Sequence, residues 1–249
     1  MDINSNLVVI VPCFNEEQRF SADYFERLAK LEVIELIFVD DASTDNTLEI
    51  LNSFSARHKN VKAFSLQNNL GKAECIRHGL LEVVNSDASG FMYLDADCEV
   101  PIGEVIRQIR IFFDSSNRNF HIFAANRFAR SKRNIERTRY RLFVSYVVRL
   151  VVRASLRSLP LDPQMGLKIF RNNKSFKNAI TQPFRTRWFI DIELFLRLNH
   201  LIKLEVRNED LAEYAEIPSS NFGLSQAPKI VKELTVVLGQ IYRSKFKSN

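Results

Sequence analysis

Three carboxylates follow one short apolar run. Phe91-Met92-Tyr93-Leu94 has the length and β-rich composition of a buried strand, and Asp95, Asp97 and Glu99 come next at alternate positions. If the backbone stays extended, all three point to one face, with about 6–7 Å between neighbours. Acids crowded in this way repel one another unless a cation sits among them. Hard oxygen ligands select Mg²⁺ or Mn²⁺, ions that usually bridge to a substrate phosphate. The bland reading is a solvated acidic turn ahead of the helix that Pro101 announces.

The elements that must position these acids favour chemistry. Leu7 to Val11 is a continuous apolar run, as expected of a strand buried on both faces of a parallel sheet, and Pro12 ends it. A helical pattern follows (Tyr24, Phe25, Leu28, Leu31), then a strand from Ile34 to Val39 that stops at Asp40-Asp41. Ser43 is the expected cap of a helix carrying Leu48, Leu51 and Phe54 on one face. Val61 to Leu66 reads as the third strand, and Asn69-Leu70-Gly71-Lys72 turns into a helix through Leu81 and Val84. Strand and helix alternate four times without a hairpin signal, which predicts a doubly wound α/β sheet over Leu7 to Asp97. Ligands of such sheets bind beyond the carboxyl ends of the strands. Asn15/Glu16, Asp40/Asp41, Gly71/Lys72 and Asp95/Asp97 all fall on that rim. Gly-x-Gly-x-x-Gly and the P-loop pattern are both absent, which argues against a dinucleotide fingerprint and a P-loop.

Later in the chain a helix is expected around Val105, Ile109 and Phe112, a strand from His121 to Ala125 leading to Asn126-Arg127, and a short strand at Leu167 to Phe170. Trp188 to Leu194 begins a further helix, on which Asp191 and Glu193 must face different sides. At most one of them can serve a given site. Ala212 to Pro218 is a candidate edge strand, and Gln226 to Lys247 a terminal amphipathic helix. The 249 residues fit one domain. Its first half spans 1–100, its second 101–218 and its terminal helix 219–249.

The net charge of +6 is uneven. Arg118 to Arg157 holds eleven basic residues against Glu136 alone, a local +10 that leaves −4 for the rest. Arg137, Arg141, Arg149, Arg153 and Arg157 recur at multiples of four beside Leu142, Phe143 and Val147. An amphipathic basic helix of that kind suits a bilayer interface. A solvent-facing core helix uses the same pattern. A nucleic-acid partner is disfavoured, because the interleaved aromatics recur at core spacing and no nucleic-acid motif accompanies them. No stretch of 18 uncharged apolar residues predicts a transmembrane helix, and Met1 to Asn6 is not expected to begin a signal peptide. Cys13, Cys75 and Cys98 read as reduced thiols of a cytosolic protein.

Val11-Pro12-Cys13-Phe14-Asn15-Glu16-Glu17, Val39 to Thr47, Asn69 to Ala73 and Asp95-Ala96-Asp97 resemble the ordered motifs of family 2 glycosyltransferases with the GT-A fold. Asp162 to Phe170 and Asp191 to Leu194 resemble, more narrowly, dolichyl-phosphate and polyprenyl-phosphate mannosyl- or glucosyltransferases. The resemblance implies a mostly parallel sheet with helices on both faces, with 1–100 the nucleotide-binding half and 101–218 the acceptor-binding half. It implies that Pro12, Asn15, Glu16, Asp41, Gly71 and Lys72 bind the nucleotide sugar, with Asp41 against the base. Asp95 would face the ribose and sugar-phosphate, Asp97 and Glu99 would hold Mg²⁺ or Mn²⁺, and Gln164 would face the donor sugar. Arg127, with Arg141 as a second candidate, would bind the acceptor phosphate. Ala42 and Ala73 stand where Gly is usual, so a positive φ is not expected at either.

The implied activity is inverting, metal-dependent transfer of a hexose from UDP-glucose or GDP-mannose to a polyprenyl phosphate. The setting would be the cytoplasmic, inner membrane face, with the protein held peripherally and a membrane-protein partner compatible with that placement. The alternative within the enzyme class is transfer to a saccharide hydroxyl, with Asp191 as the base.

Overall fold

A computed structural model of the chain describes residues 6–126, 161–162, 165–212, 214, 232–233 and 235–239. Seven strands form one sheet in the order β3-β2-β1-β4-β6-β5-β7. They are β1 (Leu7–Cys13), β2 (Ile34–Asp40), β3 (Val61–Ser65), β4 (Gly90–Leu94), β5 (Ile122–Asn126), β6 (Leu167–Arg171) and β7 (Val206–Asp210). The helices are α1 (Ala22–Ala29), α2 (Thr47–Ser55), α3 (Lys72–Val83), α4 (Ile102–Phe113), α5 (Lys174–Thr181) and α6 (Ile190–Leu201). β1 pairs in parallel with β2 and β4, β2 with β3, and β5 with β7, while β6 runs antiparallel to both β4 and β5. The sheet is therefore mostly parallel, as expected.

Central strands have a continuous apolar sequence because both faces are covered. Alternate residues of β1 enter two cores. Val8 and Ile10 pack with Tyr93, Phe170 and the apolar faces of α3, α5 and α6. Leu7, Val9 and Val11 pack with Phe38, Met92, Ile169 and residues of α1, α2 and α4. This two-sided burial fixes the register, because a one-residue slip would exchange the two sets of side chains.

Three local expectations are corrected. β4 stops at Leu94, and Asp95 to Cys98 curl into a turn in which Cys98 has φ 58°. The acids thus do not share one extended face. Ala42 takes φ 55° although no glycine is there; hydrogen bonds across this loop, described below, hold it against the left-handed strain. α2 begins at Thr47 after Asn46, so Ser43 is not its cap. β7, Val206–Asp210, was not expected, and its polar residues pair with β5, while the expected edge strand at Ala212 to Pro218 lies largely outside the described residues. Residues 127–160, 163–164 and 215–231 lie outside the described set, and with them the basic helix, Arg127, Arg141 and Gln164. Among the described residues no helix is long and apolar enough to cross a membrane.

Candidate active site

The rim is built first by loops that lock to one another. After β1, Asn15 (φ 54°) donates its backbone N–H to the Ser43 hydroxyl at 2.9 Å, and its side-chain oxygen accepts from the Thr44 N–H at 2.9 Å. The Glu16 N–H donates to Thr47 Oγ1 at 2.7 Å. These bonds set the positions of Asn15 and Glu16 relative to Asp41, while Pro12 lies within β1 opposite Val39. Asp41 is buried, and each of its oxygens accepts one N–H from the third loop, Leu70 at 2.7 Å and Gly71 at 2.8 Å. Burial, only partly offset by those donors, raises its carboxyl above the usual range. Gly71 is required twice over. Its φ is 90°, and a Cβ there would meet Arg187 Cβ at 2.9 Å.

Glu16 is 8% exposed. Its Oε1 pairs with Arg19 at 2.7 Å, while Oε2 is buried without a hydrogen-bond partner. Burial pushes this carboxyl up to about 7; Arg19 pulls it down, and Asp95 adds to the rise.

At the end of β4, Asp95 Oδ1 pairs with Lys72 Nζ at 2.5 Å, at the first turn of α3. Burial disfavours the Lys72 charge, but the carboxylates of Asp95, Asp191 and Asp97 outweigh it and raise its pKa. The Asp95 N–H donates to Gly166 O at 3.1 Å, and its carboxylate lies so close to Gly166 that an added Cβ would fall 2.0 Å from Oδ2. Asp97 is pushed up to about 7 by burial, then by Asp95 and Glu99. Its Oδ1 accepts the Glu99 N–H at 3.2 Å. Glu99 Oε2 accepts from the Tyr214 hydroxyl.

Among the described residues no group of three or more His, Cys, Asp or Glu side chains stands together as a metal cage. The repulsion that raises Asp97 is nonetheless the kind a divalent cation relieves, and the donors are hard carboxylate oxygens suited to Mg²⁺ or Mn²⁺. Asp97 and Asp95 are the residues that would hold such an ion.

Asp191 and Glu193 separate as helical geometry requires. Glu193 accepts from Arg197 at 2.8 Å and from the N–H groups of Arg185 and Thr186. Asp191 is 6% exposed; Lys168 Nζ stands 2.8 Å from its Oδ1, and the Tyr93 hydroxyl donates to the same oxygen. Burial pushes Asp191 up to about 7, against the pull of Lys72.

The structure thus places Lys72 within reach of the charges of Asp95, Asp97 and Asp191, sets Glu16 within reach of Asp95, and ties Asp41 to Gly71. Sequence reasoning passed over Lys168, Tyr93, Arg187 and Glu233. A lysine inside the apolar strand Leu167-Lys168-Ile169-Phe170 was the available signal, since a buried ammonium demands an acid. Arg187 donates to Asn69 O at 3.2 Å, its carbonyl accepts the Ala73 N–H at 2.9 Å, and Glu233 accepts the N–H groups of Arg187 and Trp188 at 3.1 and 2.9 Å. Nothing local in the sequence signals that clamp.

The family model for glycosyl transferase family 2 matches residues 8–189, and the chain belongs to that family. It is a glycosyltransferase of GT-A fold that resembles polyprenyl-phosphate glycosyltransferases. A dolichyl-phosphate beta-glucosyltransferase, ALG5C of Trichomonas vaginalis, is 25% identical over 243 residues, covering 92% of this chain and 69% of the relative. The dolichyl-phosphate beta-glucosyltransferase of Drosophila melanogaster is 28% identical over 235 residues, covering 86% and 68%. Among solved structures, glucosyl-3-phosphoglycerate synthase from Mycobacterium tuberculosis in complex with Mn²⁺, UDP and glucosyl-3-phosphoglycerate shares the fold. The TM-score is 0.69 at 16% identity, covering 96% of this chain and 80% of that one.

Proposed function

We propose that this chain transfers glucose from UDP-glucose to a polyprenyl phosphate, with inversion at the sugar, while held peripherally on the cytoplasmic face of a membrane. The observation that carries the reading is the crowding of Asp97 by Asp95 and Glu99 at the end of β4, beside Lys72 and the interlocked loops of Asn15, Glu16 and Asp41. Anionic oxygens in excess at a strand end suit a diphosphate carried with its cation. A Mg²⁺ or Mn²⁺ ion held by Asp97 and Asp95 would supply Lewis acidity toward the diphosphate leaving group. Lys72 adds a fixed positive charge, and its pairing holds the Asp95 carboxylate toward the ribose and sugar-phosphate. An oxygen of the lipid phosphate forms the new bond to the anomeric carbon as the bond to the UDP oxygen breaks.

The surroundings of Asp191 support an acceptor that needs no base. A hydroxyl acceptor must lose a proton to a base within hydrogen-bond reach. Asp191, the candidate base, is buried with Oδ1 held by Lys168 and Tyr93. A phosphate monoester is already an anion and needs positioning, a task for Arg127 and Arg141 of the basic segment through charge-assisted contacts. The glucosyl donor and the lipid-phosphate acceptor are carried over from the named activity of the relatives. The test is a panel of labelled UDP- and GDP-sugars against dolichyl phosphate, undecaprenyl phosphate and saccharide acceptors. Label extracted into lipid is expected with UDP-glucose. Label found only on saccharide hydroxyls, and lost in Asp191→Asn with donor binding intact, would overturn the acceptor assignment.

A further inference from the structure

Lys168 is wholly buried in β6, directly opposite Tyr93 of β4 in the antiparallel register. Its ammonium stands 2.8 Å from Asp191 Oδ1, donates to the Met165 carbonyl and lies 5.6 Å from the centre of the Tyr93 ring. The Tyr93 hydroxyl donates to the same Asp191 oxygen. One buried cation therefore joins the end of β4, the first turn of α6 and the loop that enters β6.

That loop is what holds Asp95. Met165, whose carbonyl Lys168 binds, precedes Gly166. The Gly166 carbonyl accepts the Asp95 N–H at 3.1 Å, and its Cα closes on the Asp95 carboxylate. The second support of Asp95 is Lys72, at 2.5 Å, and Lys72 lies in the field of Asp191. Both supports lead back to the Lys168–Asp191 pair. Buried ion pairs often add little net stability compared with apolar replacements, so stability alone does not account for a lysine here.

We propose that Lys168 is a positioning residue: by fixing Met165-Gly166 and Asp191 it sets the orientation of Asp95 for sugar transfer. The inference rests on the proposed role of Asp95 at the donor. It also assigns Asp191 an anchoring role in place of proton abstraction.

The test uses the full chain carrying K168M/D191N, which removes both buried charges together, with two readouts. Without any ligand, amide hydrogen exchange at Asp95 is expected to accelerate about tenfold relative to wild type, while the β4 amides of Phe91 and Tyr93 keep their protection. With UDP-glucose and Mn²⁺, kcat is expected to fall about 30-fold or more with KM for the donor within about threefold, the signature of a misoriented rather than an unbound substrate. A folded double variant with wild-type exchange at Asp95 overturns the proposal. If the double variant does not fold, Tyr93→Phe serves. It deletes one donor to Asp191 and is expected to accelerate Asp95 exchange about threefold; no change overturns the proposal. Should wild type transfer no sugar, the functional reading fails, and the exchange data still decide the role of Lys168.

Discussion

Gly166→Ala separates the geometry of the site from the stability of the fold. The new Cβ would lie 2.0 Å from Asp95 Oδ2, 2.4 Å from its Cγ and 3.0 Å from Oδ1. Non-bonded carbon and oxygen do not approach so closely, so the carboxylate must retreat by roughly 1–1.5 Å. The backbone itself is not strained, because Gly71 is the glycine with positive φ among the described residues and Gly166 is not. The Asp95 side chain is about one-third exposed, so it can swing outward without burying its charge. Its ion pair with Lys72 is partly solvated, and loosening such a contact costs about 1 kcal/mol or less. Reduced freedom of the unfolded chain offsets part of this, by about 0.4–1 kcal/mol. Stability should therefore stay within about 1 kcal/mol of wild type. A displacement of about 1 Å at an oriented group costs about 100-fold in rate. The assay is transfer of labelled glucose at saturating donor, paired with a chemical denaturation curve. Wild-type kcat in a folded Gly166→Ala variant would refute the placement of Asp95 at the reacting sugar-phosphate.

Two further outcomes follow from the same residues. Burial raises Glu16 to about 7, so between pH 4.5 and 7 the folded chain keeps a proton that the unfolded chain has released. Stability contributed at this position therefore declines as pH rises through that window. Glu16→Gln removes the titration, and its melting temperature should gain on wild type between pH 5 and 7.5; a constant difference would contradict the assigned burial. The +10 segment between Arg118 and Arg157 should retain the protein on anionic vesicles at about 0.1 M salt and release it at about 1 M, where charges are screened. Stronger retention on single-stranded RNA at equal salt would count against a membrane surface.

Much of the fold was legible because buried parallel strands carry a continuous apolar signature. Leu7 to Val11, Ile34 to Val39 and Phe91 to Leu94 could hardly be anything else, and the rim residues follow from where those runs stop. The turn after Leu94 was not legible. Cys98 takes a left-handed conformation that sequence associates with Gly or Asn, and Ala42 does the same under the hold of Asn15, Ser43 and Thr44. β7 escaped notice because Val-Arg-Asn-Glu-Asp shows no apolar alternation; it is a strand because β5 offers it an open edge. Helical periodicity correctly separated Asp191 from Glu193. Which of them reaches the centre depended on Lys168 and Tyr93, brought opposite each other by a β4–β6 register that no local pattern encodes.

The most direct measurement compares wild type with Asp97→Ala in the transfer of labelled glucose from UDP-glucose to polyprenyl phosphate, with Mn²⁺ present or chelated. Wild type should label the lipid only when the metal is available, and the folded variant should label none. Undiminished labelling by Asp97→Ala, or by wild type under chelation, would contradict a metal-assisted departure of the nucleotide at the end of β4.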